Sequence, residues 1–405
     1  MKTITSHNNK TPAHYKNVAF SVLFDAIALL RRLYLCVFMQ GVVLCANSYS
    51  WQVASEAQSY LRKRGIDAEL ENIDNGWYPD GSRFVKLGPK VRGSNVFVIH
   101  NTIVGRPDQA NYDLFLIADA LKRANDQGFT ACPTYFVSRG DKRDEGSVPI
   151  PAKLYADLLQ TAGGVKLQKV ITIHVHADQV EGFFDISCDN VPTLSLFGWY
   201  IKNMLFKEYF DHGMQANNLV VLAPDKGSTN LARKAAAYLR LPLCLRPKVR
   251  TEFQDRQGEV TTEDVQLSHK IQGRDVLIFD DILDTGTTLV QASDDLVERY
   301  GARSVWLFPT HLVLSPKVVS GLPDEAEEKI AQARSKPRVV TTNSIFRDQA
   351  YLSRLPWLHA VLSVGPLIGE SIYRQVTAQS VCDLYKHPEE FESLLGEFAD
   401  FNSKL

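Results

Sequence analysis

The chain has 405 residues, of which 22% are charged and 45% hydrophobic, and its formal net charge is −1. This is a globular composition with length enough for two domains. The balanced charge argues against nucleic acid or an anionic membrane surface as a partner.

Residues 18–45 read VAFSVLFDAIALLRRLYLCVFMQGVVLC, an apolar stretch interrupted by Asp25, Arg31 and Arg32. No uninterrupted run approaches the roughly 18 residues that a membrane span requires, and the basic start and cleavage site of a signal peptide are missing. We expect an N-terminal extension over 1–40 with no stable membrane association. Met39 stands just before the first clear strand.

From about residue 42 strands alternate with helices. GVVLCAN leads into the helical SWQVASEAQSYLRKRG. NVFVIHN precedes YDLFLIADALKRANDQG, where Leu114, Ile117, Ala118 and Leu121 share one face. KVITIHVHAD, NLVVLAPD, RDVLIFDD and SVWLFPTH are further short apolar runs. Apolar strands between helices predict α/β architecture, with mainly parallel sheets covered on both faces. In such sheets ligands bind beyond the carboxyl ends of the strands, where these runs place acids, histidines and prolines. The rhythm runs through twice, predicting two similar domains at 41–192 and 193–368 and a helical segment at 369–405. EEKIAQARSKPR near 327 reads as an exposed charged helix and loop.

The six cysteines, at 36, 45, 132, 188, 244 and 382, show no metal-ligand or redox spacing. They read as reduced, mostly core thiols, which suggests the cytoplasm.

The most informative stretch is VLIFDDILDTGTTL, residues 276–289. After the apolar run, Asp280 and Asp281 emerge where the strand ends, and Asp284, Thr285, Gly286, Thr287 and Thr288 open a helix. Small residues let several backbone N–H groups face one anion, and the helix N-terminus adds positive potential. The acids can accept from sugar hydroxyls or hold a divalent cation. A plain N-capped turn would use Asp and Thr as well, but two adjacent acids exceed what a cap needs. The pattern suits a ribose phosphate.

This stretch resembles the phosphoribosyl-binding loop of the type I phosphoribosyltransferase fold. Further segments narrow the resemblance to ribose-phosphate pyrophosphokinase (PRPP synthetase), over about 41–387: VITIHVHADQVEGFFDISCDN, PTYFVSRGDKRDEGSVPIPAKL, LVVLAPDKGSTNLARKAAAYL, KVRTEF, RVVTTNSI and VLSVGPLIGESI. The resemblance implies two phosphoribosyltransferase-like domains and transfer of the diphosphoryl group of ATP to ribose 5-phosphate, giving PRPP and AMP for nucleotide biosynthesis. It implies Mg²⁺ as cofactor and a homo-oligomer built from dimers, by resemblance a hexamer.

Residue by residue, the resemblance makes Lys248 and Arg250 the catalytic basic pair. Tyr78, Asp80, Arg139 and His176 fall on the ATP side. Asp225, Asp280, Asp281 and Asp284–Thr288 fall on the ribose 5-phosphate side, and His176 and Asp225 are the candidate metal contacts. Imidazole is an unusual magnesium ligand, so a water-bridged or phosphate contact suits His176 equally. Three positions depart from the family. Gly140 replaces a glutamine, Ser82 a glutamate, and His174 an acid. All three fall on the nucleotide side and keep open a rival reading, a catalytically weak regulatory or nucleotide-binding homologue; the ATP loop and the doubled domain argue against another, a phosphoribosyltransferase that consumes PRPP. GxxxxGK[ST] does not occur, so a P-loop kinase is not a competing route to ATP.

Overall fold

The computed structural model describes residues 41–103, 107–136, 140–142, 146–207, 218–246, 267, 269–315, 325–396 and 402–403. The predicted N-terminal extension, 1–40, lies outside them. The described residues start with β1 (Val42–Ala46), five buried residues, and α1 (Trp51–Lys63), which buries Val53, Ala54, Ala57, Tyr60 and Leu61 at helical spacing. β2 (Ala68–Trp77) and β3 (Arg83–Leu87) form an antiparallel hairpin. Then follow β4 (Asn95–His100), β5 (Thr102–Ile103), α2 (Pro107–Ala124), β6 (Phe129–Pro133), α3 (Pro151–Gly163), β7 (Leu167–Ile173) and β8 (Ser187–Val191). The predicted face of α2 is the buried one, with Leu114, Ile117, Ala118 and Leu121 inside.

The second half runs α4 (Leu194–Tyr200), β9 (Leu219–Ala223), α5 (Thr229–Leu239), β10 (Leu243–Leu245), β11 (Asp275–Leu283), α6 (Thr287–Glu298), β12 (Ser304–Leu312), α7 (Glu325–Gln332), β13 (Arg338–Thr342) and β14 (Ile345–Phe346). It ends with α8 (Gln349–Leu352), β15 (Leu358–Leu362), α9 (Gly365–Val376), α10 (Asp383–Lys386), α11 (Pro388–Leu395) and β16 (Asn402–Ser403).

Two seven-stranded sheets result, ordered β3-β2-β1-β4-β6-β7-β8 and β10-β9-β11-β12-β13-β15-β16. Among the described strands only the β2–β3 and β15–β16 pairs are antiparallel. Leaving out β3 and β16, the two orders are the same: the first strand of each half lies between its second and third. The order therefore reverses between β1 and β4, and again between β9 and β11. A crevice opens at such a reversal beyond the strand ends, and Asp225 and Asp280–Asp281 stand there in the second half.

Each half has its own apolar core, one around Val96, Leu114 and Phe129, the other around Val276, Leu296 and Leu307. Burying one such aliphatic or aromatic side chain contributes about 1.5–3 kcal/mol. Contacts between the halves include three features. β5 and β14 pair across them. Helix α1 packs on α9, where Gly365 and Gly369 let the backbone approach Glu56 and Tyr60; a Cβ at either glycine would come within 3.0 Å of them. Beside this contact the buried Glu370 accepts from Tyr60 Oη (2.8 Å), Arg64 Nη1 (2.8 Å) and Arg374 Nε (2.7 Å). Its charge, costly alone at that depth, is thus fully engaged.

Candidate active site

Three acids of the second half are set by the strands that carry them. After β9, Pro224 turns the chain and Asp225 follows. Asp225 Oδ1 accepts from the Ser228 backbone N–H (2.9 Å) and from Ser228 Oγ (3.0 Å), while Thr229 Oγ1 donates to the Asp225 carbonyl (3.1 Å). The turn thus fixes the carboxylate just ahead of α5.

On the neighbouring β11, Asp280 and Asp281 are half-buried, and the Asp281 N–H donates to Asp280 Oδ1 at 3.0 Å. Burial pushes the Asp280 carboxyl up to about 8, reinforced by the negative charges of Asp281 and Asp225. Asp281 goes the other way. Burial acts against it too, yet the hydrogen bond from His176 and the charges of His176 and His174 hold it below the usual carboxylate range. Packed this closely, the carboxylates favour a cation or a shared proton between them.

The loop Asp284–Thr288 follows. Gly286 takes a φ of 68°, the left-handed region that glycine enters without strain, and stands at the N-cap of α6. No side chain caps that helix, so amides of its first turn point toward the loop as an anion site requires. Thr285 and Thr288 are exposed and Thr287 half-buried. Asp284 turns away from the loop mouth to accept from the Ser315 N–H at 3.0 Å.

The expectation of an exposed helix over EEKIAQARSKPR needs correction. Helix α7 buries Ala326 and Ile330, and Ala333 is buried just beyond it. Half-buried Lys329 donates from Nζ to Thr287 Oγ1 at 2.9 Å. The spacing of Ala326, Ile330 and Ala333 was the available signal, obscured by the charged residues between them.

The first half sends His176 to this place. Its Nδ1 lies 2.5 Å from Asp281 Oδ2, although 105 residues separate the two in sequence. His174, two residues earlier, points elsewhere. It adopts a φ of 40° and is half-buried, with Nδ1 2.6 Å from Thr310 Oγ1. Its carbonyl accepts from His311 Nε2 at 3.0 Å. The substitution at 174 therefore falls in the polar junction between the halves, and burial keeps this imidazole below its ordinary range.

Tyr78 and Asp80 occupy the tip of the β2–β3 hairpin, whose strand β3 edges the first sheet, whereas His176 follows β7 near the opposite edge. Within one chain they do not converge. The tip is well held: the Tyr78 N–H donates to the Ser82 carbonyl (2.8 Å), and Asp80 Oδ1 accepts from Ser82 N–H (2.9 Å) and Oγ (2.7 Å). Ser82 thus locks the turn. Tyr78 is 55% exposed. At Gly140, a Cβ would come within 2.5 Å of the Pro151 ring, so the backbone here packs where a side chain would have to stand. Arg139, Lys248 and Arg250 lie outside the described residues.

The sequence is similar to known proteins over most of its length. The N-terminal domain of ribose phosphate pyrophosphokinase matches residues 43–163, and the phosphoribosyl transferase domain matches 200–312. The ribose-phosphate pyrophosphokinase of Campylobacter jejuni is 33% identical over 348 residues, covering 86% of this chain and 100% of the relative. The chain belongs to the ribose-phosphate pyrophosphokinase family. Another relative of that name, from Porphyromonas gingivalis, is 33% identical over 81% of this chain and 94% of its own. In three dimensions the chain resembles the phosphoribosylpyrophosphate synthetase of Mycobacterium smegmatis, with a TM-score of 0.65 at 29% identity, covering 83% of this chain and 98% of that one. The doubled sheet order is thus the family's two-domain fold, read here directly from strand pairing.

Proposed function

We propose that this protein transfers the β,γ-diphosphoryl group of ATP to the anomeric hydroxyl of ribose 5-phosphate, giving PRPP and AMP. The oxygen of that hydroxyl bonds to the β-phosphorus as the α–β bridging bond breaks, and the hydroxyl proton is released. The observation that carries this reading is the contact between His176 and Asp281. It joins a nucleotide-side residue of the first half to the ribose-side acids of the second. Transfer between two substrates needs that juxtaposition more than it needs a strong base.

In this reading the amides and hydroxyls of Asp284–Thr288 hold the sugar 5-phosphate, and Asp225, Asp280 and Asp281 accept from ribose hydroxyls. Among the described residues no group of three or more His, Cys, Asp or Glu forms a ready metal cage. Crowded carboxylates with hard oxygen donors do suit Mg²⁺, which keeps several waters and takes its other ligands from phosphates. Asp225 and His176 are the protein contacts assigned to it, and when bound it supplies neutralisation of the phosphate charge. Lys248 and Arg250 are assigned to the charge that develops on the transferring group.

Tyr78 and Asp80, distant from His176 in their own chain, are assigned to the ATP site of a neighbouring subunit, with Arg139 completing that site. This requires a homo-oligomer, dimer-based and by family resemblance a hexamer. No described helix is long and apolar enough to cross a membrane, and we place the enzyme in the cytoplasm. The domain limits proposed are 41–192 and 193–368, flanked by 1–40 and 369–405.

Gly140 and Ser82 favour one rival reading, a nucleotide-binding regulator with little turnover. Purified protein supplied with ATP, Mg²⁺ and ribose 5-phosphate separates the two. AMP and PRPP in equal amounts establish the transferase, and their absence with retained nucleotide binding establishes the regulator.

A further inference from the structure

The loop Asp284–Thr288 and the two residues after it contain no Lys or Arg. A sugar phosphate held only by amides and hydroxyls would leave most of its charge to the helix terminus. A cation does reach the loop from a different helix. Lys329 extends from α7 to Thr287 Oγ1, at 2.9 Å. That contact places an ammonium against the first residue of α6, within the loop assigned to the phosphate.

The placement is built rather than incidental. Helix α7 is seated by Ala326 and Ile330, 2% and 1% exposed. Ile330 also lies against the loop glycine, with its Cγ1 3.5 Å from where a Cβ on Gly286 would stand. Tyr351 Oη donates to Glu327 on the preceding residues of α7 and ties the helix to α8. With Ile330 on Gly286 and Glu327 on Tyr351, the intervening side chain of Lys329 reaches Thr287 from a rigid support.

We propose that Lys329 is a further binding residue of the ribose 5-phosphate site, donating from Nζ to the sugar phosphate as well as to Thr287. It would select phosphorylated ribose over free ribose. The inference rests on the reading of Asp284–Thr288 as a sugar-phosphate loop. A charge-assisted hydrogen bond reaches beyond what amides supply, because the ammonium meets the phosphate in a partly water-excluded loop.

The test is calorimetric titration of ribose 5-phosphate into the full-length protein, with Lys329→Met and Lys329→Arg alongside. We expect Lys329→Met to weaken ribose 5-phosphate binding at least tenfold, to flatten its dependence on salt, and to leave ATP affinity within twofold. Lys329→Arg should recover most of the loss. Unchanged ribose 5-phosphate affinity in Lys329→Met overturns the inference while leaving the loop assignment standing. Equal losses for both ligands also overturn it, since they mark a merely structural role for α7. If the unmodified protein does not bind ribose 5-phosphate, the loop assignment falls and this inference with it.

Discussion

The hairpin that carries Tyr78 and Asp80 hangs on one buried ion pair, which allows a sharp prediction. Arg83 Nε donates to Asp113 Oδ1 at 2.7 Å and its Nη2 bonds Oδ2, while Asn75 Nδ2 donates to the same Oδ2 at 3.0 Å. The two side chains are 6% and 2% exposed. The Arg83 guanidinium also lies over the Trp77 ring, 4.5 Å from its centroid. Asp113→Ala leaves Arg83 buried in this cage without its counter-charge, a change that costs about 3–5 kcal/mol. An exposed pair would cost at most about 1 kcal/mol. Urea unfolding with hydrogen exchange on β2 and β3 reads the loss, which should concentrate in the hairpin. Because the tip is assigned to a neighbour's nucleotide, KM for ATP should rise while that for ribose 5-phosphate holds. The double variant Arg83→Met, Asp113→Leu should recover much of the stability, since it removes both charges together. A cost below about 1 kcal/mol for Asp113→Ala, or no recovery in the double variant, would refute the argument.

Asp281→Asn removes the charge that accepts from His176 and is assigned to ribose, so ribose 5-phosphate affinity should fall about tenfold or more, the scale of one charged hydrogen bond, with ATP binding nearly intact by calorimetry. Stability should depend on pH through buried imidazoles. Burial brings His311 down to about 4 from its ordinary 6.5, and His100 is lowered by the same cause. The unfolded chain therefore binds more protons between these limits, so stability is full above about pH 6.5 and falls toward pH 4, by roughly 3 kcal/mol for His311. Urea midpoints at pH 7.5 and 5 should show the drop, and His311→Gln should shrink it. Finally, Tyr78→Ala, Asp80→Ala subunits co-expressed with Lys248→Ala subunits should regain activity that neither has alone; an active monomer by light scattering with no complementation would exclude the shared site.

What adjacent residues decide together was legible along the chain. VLIFDDILDTGTTL reads as strand, acids, small-residue loop and helix because every part lies within one local path. The strand–helix rhythm likewise announced a doubled α/β fold, since burial on both faces leaves runs such as LVVLA uniformly apolar. Free cysteines at 45, 132, 188, 244 and 382 agree with their scattered spacing. The tertiary structure alone decided which segments meet. Nothing near His176 specifies Asp281 as its partner, and nothing in HVHAD says that His174 turns inward to Thr310 while His176 does not; the left-handed backbone at His174 makes that choice. Lys329 looked solvated because charge dominates its neighbours, and only the seating of Ala326 and Ile330 carries it to Thr287. Pattern records whether a side chain is buried. The partner it finds there depends on how two sheets, joined at β5–β14 and along α1–α9, close on each other.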